Sequence, residues 1–217
     1  MSVTTVSIVE WLRNFAAAVA ENESLLIDLD SAIGDADHGS NLHRGMTAVV
    51  EHFDVERPTV VGDALRTAGM LLISTVGGAS GVLYGTLLLR MATASGDRTV
   101  LASDELVDAL RAGLEGVRAR GQADVGDKTM VDVLAPAIDA LEASVTAGAP
   151  LAAAASSAAI AAQAARDDTA SLVARKGRAS YLGERSVGHV DPGAASSALL
   201  FVALADSLVE GMATVRA

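Results

Sequence analysis

The stretch TAGMLLISTVGGASGVLYGTLLL, residues 67–89, holds no charged residue. By length alone it is sufficient to cross a bilayer. Gly77-Gly78 divides it into two shorter segments, however, and Ser74, Thr75, Ser80 and Thr86 are scattered through it. Two buried helices joined at a glycine turn explain these features better, so no membrane span is expected.

Outward from this hairpin, helical periodicity continues in both directions. Ile8, Trp11, Leu12, Phe15 and Val19 follow the i, i+3, i+4, i+7 rule and make one apolar stripe. Leu106, Leu110, Leu114 and Val117 make another, with Ser103-Asp104-Glu105 as the expected cap and acidic first turn. Leu134, Ile138, Leu141 and Val145 form a third, and Leu199, Val202, Leu208 and Met212 a last one. The expected helices are 5–20, 22–32, 40–53, 59–76, 79–94, 103–119, 130–147, 151–168 and 194–214. Counting the first two as one broken helix leaves about eight long ones. Pro58, Gly96-Asp97, Gly148-Ala149-Pro150 and Asp191-Pro192-Gly193 mark the breaks. The Ala- and Ser-rich stretch 151–165 reads as a tightly packed helix rather than a linker.

Composition narrows the class. The 217 residues (1–217) fit a single domain with a substantial core and leave no room for a second, substrate-binding one. Aromatics make up only 3%, so the core must come from Leu, Val, Ile and Ala, whose small volumes suit close helix packing. A net charge of −11 argues against nucleic acid as a partner. The absence of Cys rules out disulfides and thiolate zinc sites and is compatible with a reducing cytosol. The first twenty residues carry Glu10 where a secretory signal would need a basic start and a long apolar core, so a cytoplasmic location is expected.

Chemistry concentrates where the helical pattern stops. LDSAIGDADHGSN, residues 29–41, places Asp30, Asp35 and Asp37 within eight residues, with Gly34 and Gly39 permitting sharp turns. Carboxylates so close repel one another unless a cation lies among them, and oxygen ligands favour Mg²⁺, Ca²⁺ or Mn²⁺ over zinc. The plainer alternative is an acidic capped loop. GGASG, 77–81, sits before a helix and would let backbone N–H groups approach an anion, though a glycine-rich helical hairpin looks the same. GDKTM, 126–130, also precedes a helix. Thr129 could cap it and Lys128 could face a phosphate, or the motif is a turn and cap alone. TASLVARKGRASYLGERSVGHVDPG, 169–193, shows little helical pattern and gathers Arg175, Lys176, Arg178 and Arg185 in an otherwise acidic chain. A solvated basic loop is one reading. The other is a positive cluster facing the three Asp residues across a polyanion bridged by metal. From the residues alone the case reaches a magnesium–phosphate site and stops there.

GDADHG (34–39), GGASG (77–81), GDKTM (126–130) and ARKGRASYLGERSVGHVDPGA (174–194) together resemble the L subunit of dihydroxyacetone kinases, the DhaL family, and the resemblance runs through essentially the whole chain. It implies an all-α, single-domain antiparallel eight-helix barrel with a nucleotide in the loops at one end. Asp30, Asp35 and Asp37 resemble ligands of two Mg²⁺ ions. His38, Gly39, Ser40, Asn41, Gly78, Ala79 and Ser80 resemble contacts around the phosphates of ADP or ATP. Gly121, Thr129, Met130, Asp191, Pro192 and Gly193 resemble the surroundings of the adenosine. Arg178 resembles a phosphate-contacting arginine suited to stabilise transition-state charge, and is the expected catalytic residue. Val82 and Val125 stand where related chains often have Pro, and Gln122 where Lys is usual, a departure that bears on loop rigidity and nucleotide exchange. The implied partners are a K subunit carrying dihydroxyacetone and, if the phosphotransferase system is the donor, a phosphohistidine-carrying M subunit. The alternatives are an L subunit with exchangeable ATP acting on dihydroxyacetone or another ketose, and a non-catalytic ADP-binding regulatory protein.

Overall fold

The computed structural model describes residues 2–214, with side chains through residue 209. Nine α-helices follow one another among these residues: α1 Thr5–Glu21, α2 Glu23–Ile33, α3 His38–Val55, α4 Val61–Thr75, α5 Gly78–Ser95, α6 Ser103–Gly121, α7 Val131–Thr146, α8 Leu151–Asp168 and α9 Pro192–Thr214. Each lies within a few residues of its expected range. Met212, expected in the last stripe, falls outside the described side chains.

Eight of the helices close a ring. Going round it, α1 packs on α3, α3 on α4, and each helix on the next through to α9, which packs back on α1. Helix α2 is the ninth, lying against α3 and α9 at one end. It is thus separate from the ring, whereas the sequence suggests one broken helix, α1 plus α2. Sequential ring neighbours run antiparallel, most of them joined by short connections, with α2 between α1 and α3 and a long segment between α8 and α9.

The uncharged stretch forms α4 and α5, turned back on each other at Gly77. Their axes approach where glycines meet: a Cβ on Gly85 would lie 2.8 Å from the Gly69 carbonyl oxygen, and one on Gly69 would lie 3.0 Å from that of Gly85. Small residues here are the condition for the close contact, which is why the segment is apolar without being bulky. The window Pro192–Val209 of α9 is the one stretch among the described residues long and apolar enough to cross a membrane, and 72% of it is buried in the bundle.

The core fills the ring with Leu, Val, Ala and Met, plus Trp11, Phe15, Phe53, Tyr84 and Phe201. Trp11 donates its indole N–H to the Leu200 carbonyl at 2.8 Å, tying α1 to α9 with the polar atom satisfied. At one end, Val3–Thr4 (β1) pairs antiparallel with Val100–Leu101 (β2), a ladder too short for any sequence signal. Glu105 caps α6 by accepting the Ala102 N–H at 2.8 Å. Segment 169–193, expected to lack helix, contains two 3₁₀ pieces, Thr169–Ser171 and Arg178–Ser186, the second kinked at Gly183.

Candidate functional site

At the end opposite β1 and β2, the N-termini of α3, α5, α7 and α9 open onto one cavity of about 450 Å³, within the range of small-molecule sites. Each brings the positive end of a helix dipole to the cavity, so the convergence favours an anion. The antiparallel ring produces this arrangement, because alternate helices begin at the same end.

On one wall stands the acidic loop. Asp30, in the last turn of α2, is buried, and its Oδ2 accepts the backbone N–H groups of Asp37 (2.8 Å) and His38 (3.1 Å). Those bonds fold residues 34–37 back over α2, with Ala36 left-handed at φ 63°. Ligand oxygens of Asp30, Asp35 and Asp37 come within 4.8 Å of one another. Three carboxylates at that spacing, one of them buried, form a donor set that fits hard divalent cations. Across the cavity Arg178 pairs its Nη2 with Asp35 Oδ2 at 3.0 Å.

His38 projects inward. Its Nε2 meets Ser196 Oγ at 2.9 Å, and Ser196 Oγ in turn meets Tyr84 OH at 2.7 Å, with Tyr84 also 3.1 Å from Ser197 Oγ. Burial pulls the His38 pKa below the ordinary imidazole value, against the opposing pull of Asp30 and Asp37. Burial pushes the Tyr84 hydroxyl up to about 12, so it remains a neutral phenol. Asp191, before α9, caps that helix by accepting the Ala194 N–H at 2.7 Å, and burial lifts its carboxyl to about 7.

Of the residues singled out from sequence, Asp30, Asp35, Asp37, His38, Gly78, Ala79, Ser80, Gly121, Thr129, Met130, Arg178, Asp191, Pro192 and Gly193 all border this cavity. Gly39, Ser40 and Asn41 do not. The first turn of α3 aims them elsewhere: Gly39 packs on the α2 backbone at Glu23, Ser40 faces a separate surface recess, and the buried Asn41 accepts Arg44 Nη2 at 2.6 Å beneath Gly77. Of the two readings of Lys128, the one that faces it to a phosphate is not what the side chain shows. Its side chain is 1% exposed and its Nζ donates to the carbonyls of Thr169 (2.7 Å), Leu172 (3.1 Å) and His189 (2.5 Å), with no proton left for a phosphate. Thr129 behaves as expected, its Oγ1 accepting the Val131 N–H at 3.1 Å at the start of α7. Sequence reasoning missed Tyr84, Leu83, Val117 and Arg120 on the wall, which a helix-end alignment of α5 with α6 would have found. Of the departures from the family pattern, Val82 also borders the cavity, Val125 is exposed on the adjoining loop, and Gln122 ends α6 in the left-handed region.

A helical ring with a carboxylate cluster, converging helix N-termini and a facing arginine has the donor set that fits a phosphate group and a divalent cation together. Residues 32–206 match the DAK2 domain family, and the chain belongs to it. It is 46% identical to the PEP-dependent dihydroxyacetone kinase 1 ADP-binding subunit DhaL of Listeria innocua, covering 89% of this chain and 92% of that one. It is 43% identical to the corresponding subunit of Escherichia coli K12, covering 94% and 98%. The crystal structure of the dihydroxyacetone kinase from C. freundii in complex with AMP-PNP and Mg²⁺ superimposes with a TM-score of 0.72 at 28% identity, over 92% of this chain and 33% of that one. The chain therefore spans about a third of that kinase and nearly all of the DhaL subunits.

Proposed function

We propose that this chain is the nucleotide-carrying subunit of a dihydroxyacetone kinase, relaying a phosphoryl group from a phosphotransferase-system phosphohistidine to dihydroxyacetone held on a separate K subunit. The observation that carries the reading is the meeting, in one cavity, of four helix N-termini, three carboxylates and Arg178. Asp30, Asp35 and Asp37 would hold the metal, two Mg²⁺ ions by family resemblance. Bound there, Mg²⁺ would relieve the carboxylate repulsion and neutralise charge on the phosphates.

The chain's own residues do the rest by position. The Asp37 and His38 amides fix the Asp30 carboxylate, so little reorganisation is left for the moment of binding. Gly78, at φ 68°, turns the chain so that the N–H groups of Ala79 and Ser80 open α5 toward the phosphates. Ser196 and Tyr84 hold the His38 ring at the cavity wall. Leu83, Val117 and Met130 give the apolar part of the cavity, suited to a purine face. Arg178 is placed to stabilise charge on the transferring group, and no nucleophile is required of this chain.

The extent of the ring supports reading 1–217 as one domain, and phosphotransferase-system chemistry implies a cytoplasmic setting. An ATP-exchanging version has support of its own: the L-erythrulose 1-kinase of Mycolicibacterium smegmatis is 38% identical over 93% of this chain, which there makes up 35% of the protein. The PEP-dependent reading is favoured because the relatives of matching length carry that name. The test is turnover with purified K and M subunits, supplied in turn with phosphoenolpyruvate and its relay proteins or with ATP. Turnover on phosphoenolpyruvate with catalytic ADP is expected. Turnover on ATP alone would transfer the conclusion to the exchangeable-nucleotide kinase.

A further inference from the structure

Lys128 is the least expected group near the cavity. A lysine is rarely buried unless paired, yet this one is 1% exposed and has no carboxylate within ion-pair distance among the described residues. Burial draws its pKa down, against the opposing fields of Asp191 and Asp132. What holds the ammonium is stoichiometry, three protons facing three carbonyl oxygens. Its backbone is left-handed at φ 63°, an unfavourable state for a residue with a Cβ, and Asp132 fixes the loop by accepting the N–H groups of Gly126 and Thr129, both at 2.6 Å.

The three carbonyls are not neighbours. Thr169 and Leu172 lie where the chain leaves α8, and His189 lies where it returns to α9, so one ammonium draws together both ends of the excursion that carries Arg178. Its tip is held by the Arg178–Asp35 ion pair at 3.0 Å, and the other anchors are few. Arg175 N–H reaches the Asp127 carbonyl at 3.1 Å, Gly188 N–H reaches Ala170 at 2.7 Å, and Ala174 and Ala179 make a small apolar cluster with Ile33. Asp191 N–H also bonds Thr169 Oγ1 at 3.1 Å, next to the clamped carbonyl.

We infer that Lys128 is a positioning residue, a buried ammonium clamp that holds the 172–189 segment over the cavity and thereby sets both the placement of Arg178 and the rate at which nucleotide leaves. This rests on the reading of the cavity as a nucleotide site. Without the clamp, two or three carbonyls lose their partner and the cost of closing the segment falls on its weak remaining contacts.

The test is a double-mutant cycle on the full-length chain with Lys128→Met and Arg178→Ala, reading Mg-ADP release with a fluorescent ADP analogue and phosphoryl transfer in the reconstituted kinase. Well below its melting temperature, Lys128→Met is expected to release nucleotide about tenfold faster or more. In the cycle, adding Lys128→Met to Arg178→Ala should cost turnover far less than it does in the parent, because both act through one guanidinium. Lys128→Gln, which retains two donors, should fall between parent and Lys128→Met and serves if the latter does not fold. Unchanged release, or fully additive losses, would reduce Lys128 to a structural residue and overturn the inference. Failure of the parent chain itself to bind Mg-ADP would instead sink the nucleotide reading on which it depends.

Discussion

The two walls of the cavity are built in opposite ways. The acidic wall grows from the end of α2, where Asp30 is fixed by two amides of the following turn, all within nine residues. The basic wall is a long excursion between α8 and α9, fastened at its ends by a lysine about forty residues upstream of its first anchor. Local bonds make a rigid donor set that folding of α2 and α3 completes. Distant bonds make a segment whose stability is separable from that of the ring. The comparison suggests a division of work, in which the acidic wall fixes the metal site and the basic wall governs closure and charge stabilisation.

Breaking the basic wall at its functional tip should give the largest effect. Arg178→Ala is expected to slow phosphoryl transfer on the order of 1,000-fold with a smaller loss of nucleotide affinity, a split that single-turnover and binding measurements would separate. Equal losses in both would make Arg178 a simple binding group.

Asp191 sharpens the picture at the junction of the basic segment with α9. Its folded pKa near 7 lies above the ordinary aspartate value of 3.8, so the folded state keeps a proton that the unfolded chain has released. Stability from this group is therefore full below about pH 4 and is lost as pH rises to 7. Asp191→Asn should remove that slope, gaining on the order of 2–4 kcal/mol relative to the parent between the two limits, in urea unfolding across pH. Parallel pH profiles would contradict the buried, protonated state.

On the acidic wall, Asp30→Asn leaves the two amides a neutral acceptor but removes a charge. Affinity for Mg-ADP should fall on the order of 100-fold by calorimetry, and the helical spectrum should persist. Away from both walls, Gly85→Ala should cost about 1–3 kcal/mol in chemical unfolding by forcing α4 from α5, with nucleotide affinity retained. Smallest of all, Arg111→Ala removes exposed pairs with Asp139 and Glu142 and should change stability by about 0–1 kcal/mol.

The same local-versus-distant contrast explains what the sequence discloses. Helix ranges and the α4–α5 turn are legible because periodicity and glycine breaks are local signals, and the carboxylate loop is legible because its three Asp residues are adjacent in sequence. The direction of Lys128 is not, since a helix-preceding Lys reads as part of a turn and cap or as a phosphate ligand until Thr169, Leu172 and His189 are seen around it. Nor is the His38–Ser196 contact, which joins positions 158 residues apart. Gly39, Ser40 and Asn41 lie in the same motif as His38, but unlike His38 they do not line the cavity. The 3₁₀ pieces of 169–193 depend on tertiary anchors such as Ser186, whose hydroxyl accepts the Ala174 N–H at 2.9 Å, and leave no periodicity to read.

The most direct test of the central claim is mass spectrometry of small molecules, with metal analysis, on the purified full-length chain after denaturation. ADP is expected in near-stoichiometric amount accompanied by magnesium, both lost together when the Asp triad is replaced. A chain that carries no nucleotide and fails to bind added Mg-ADP would contradict that claim.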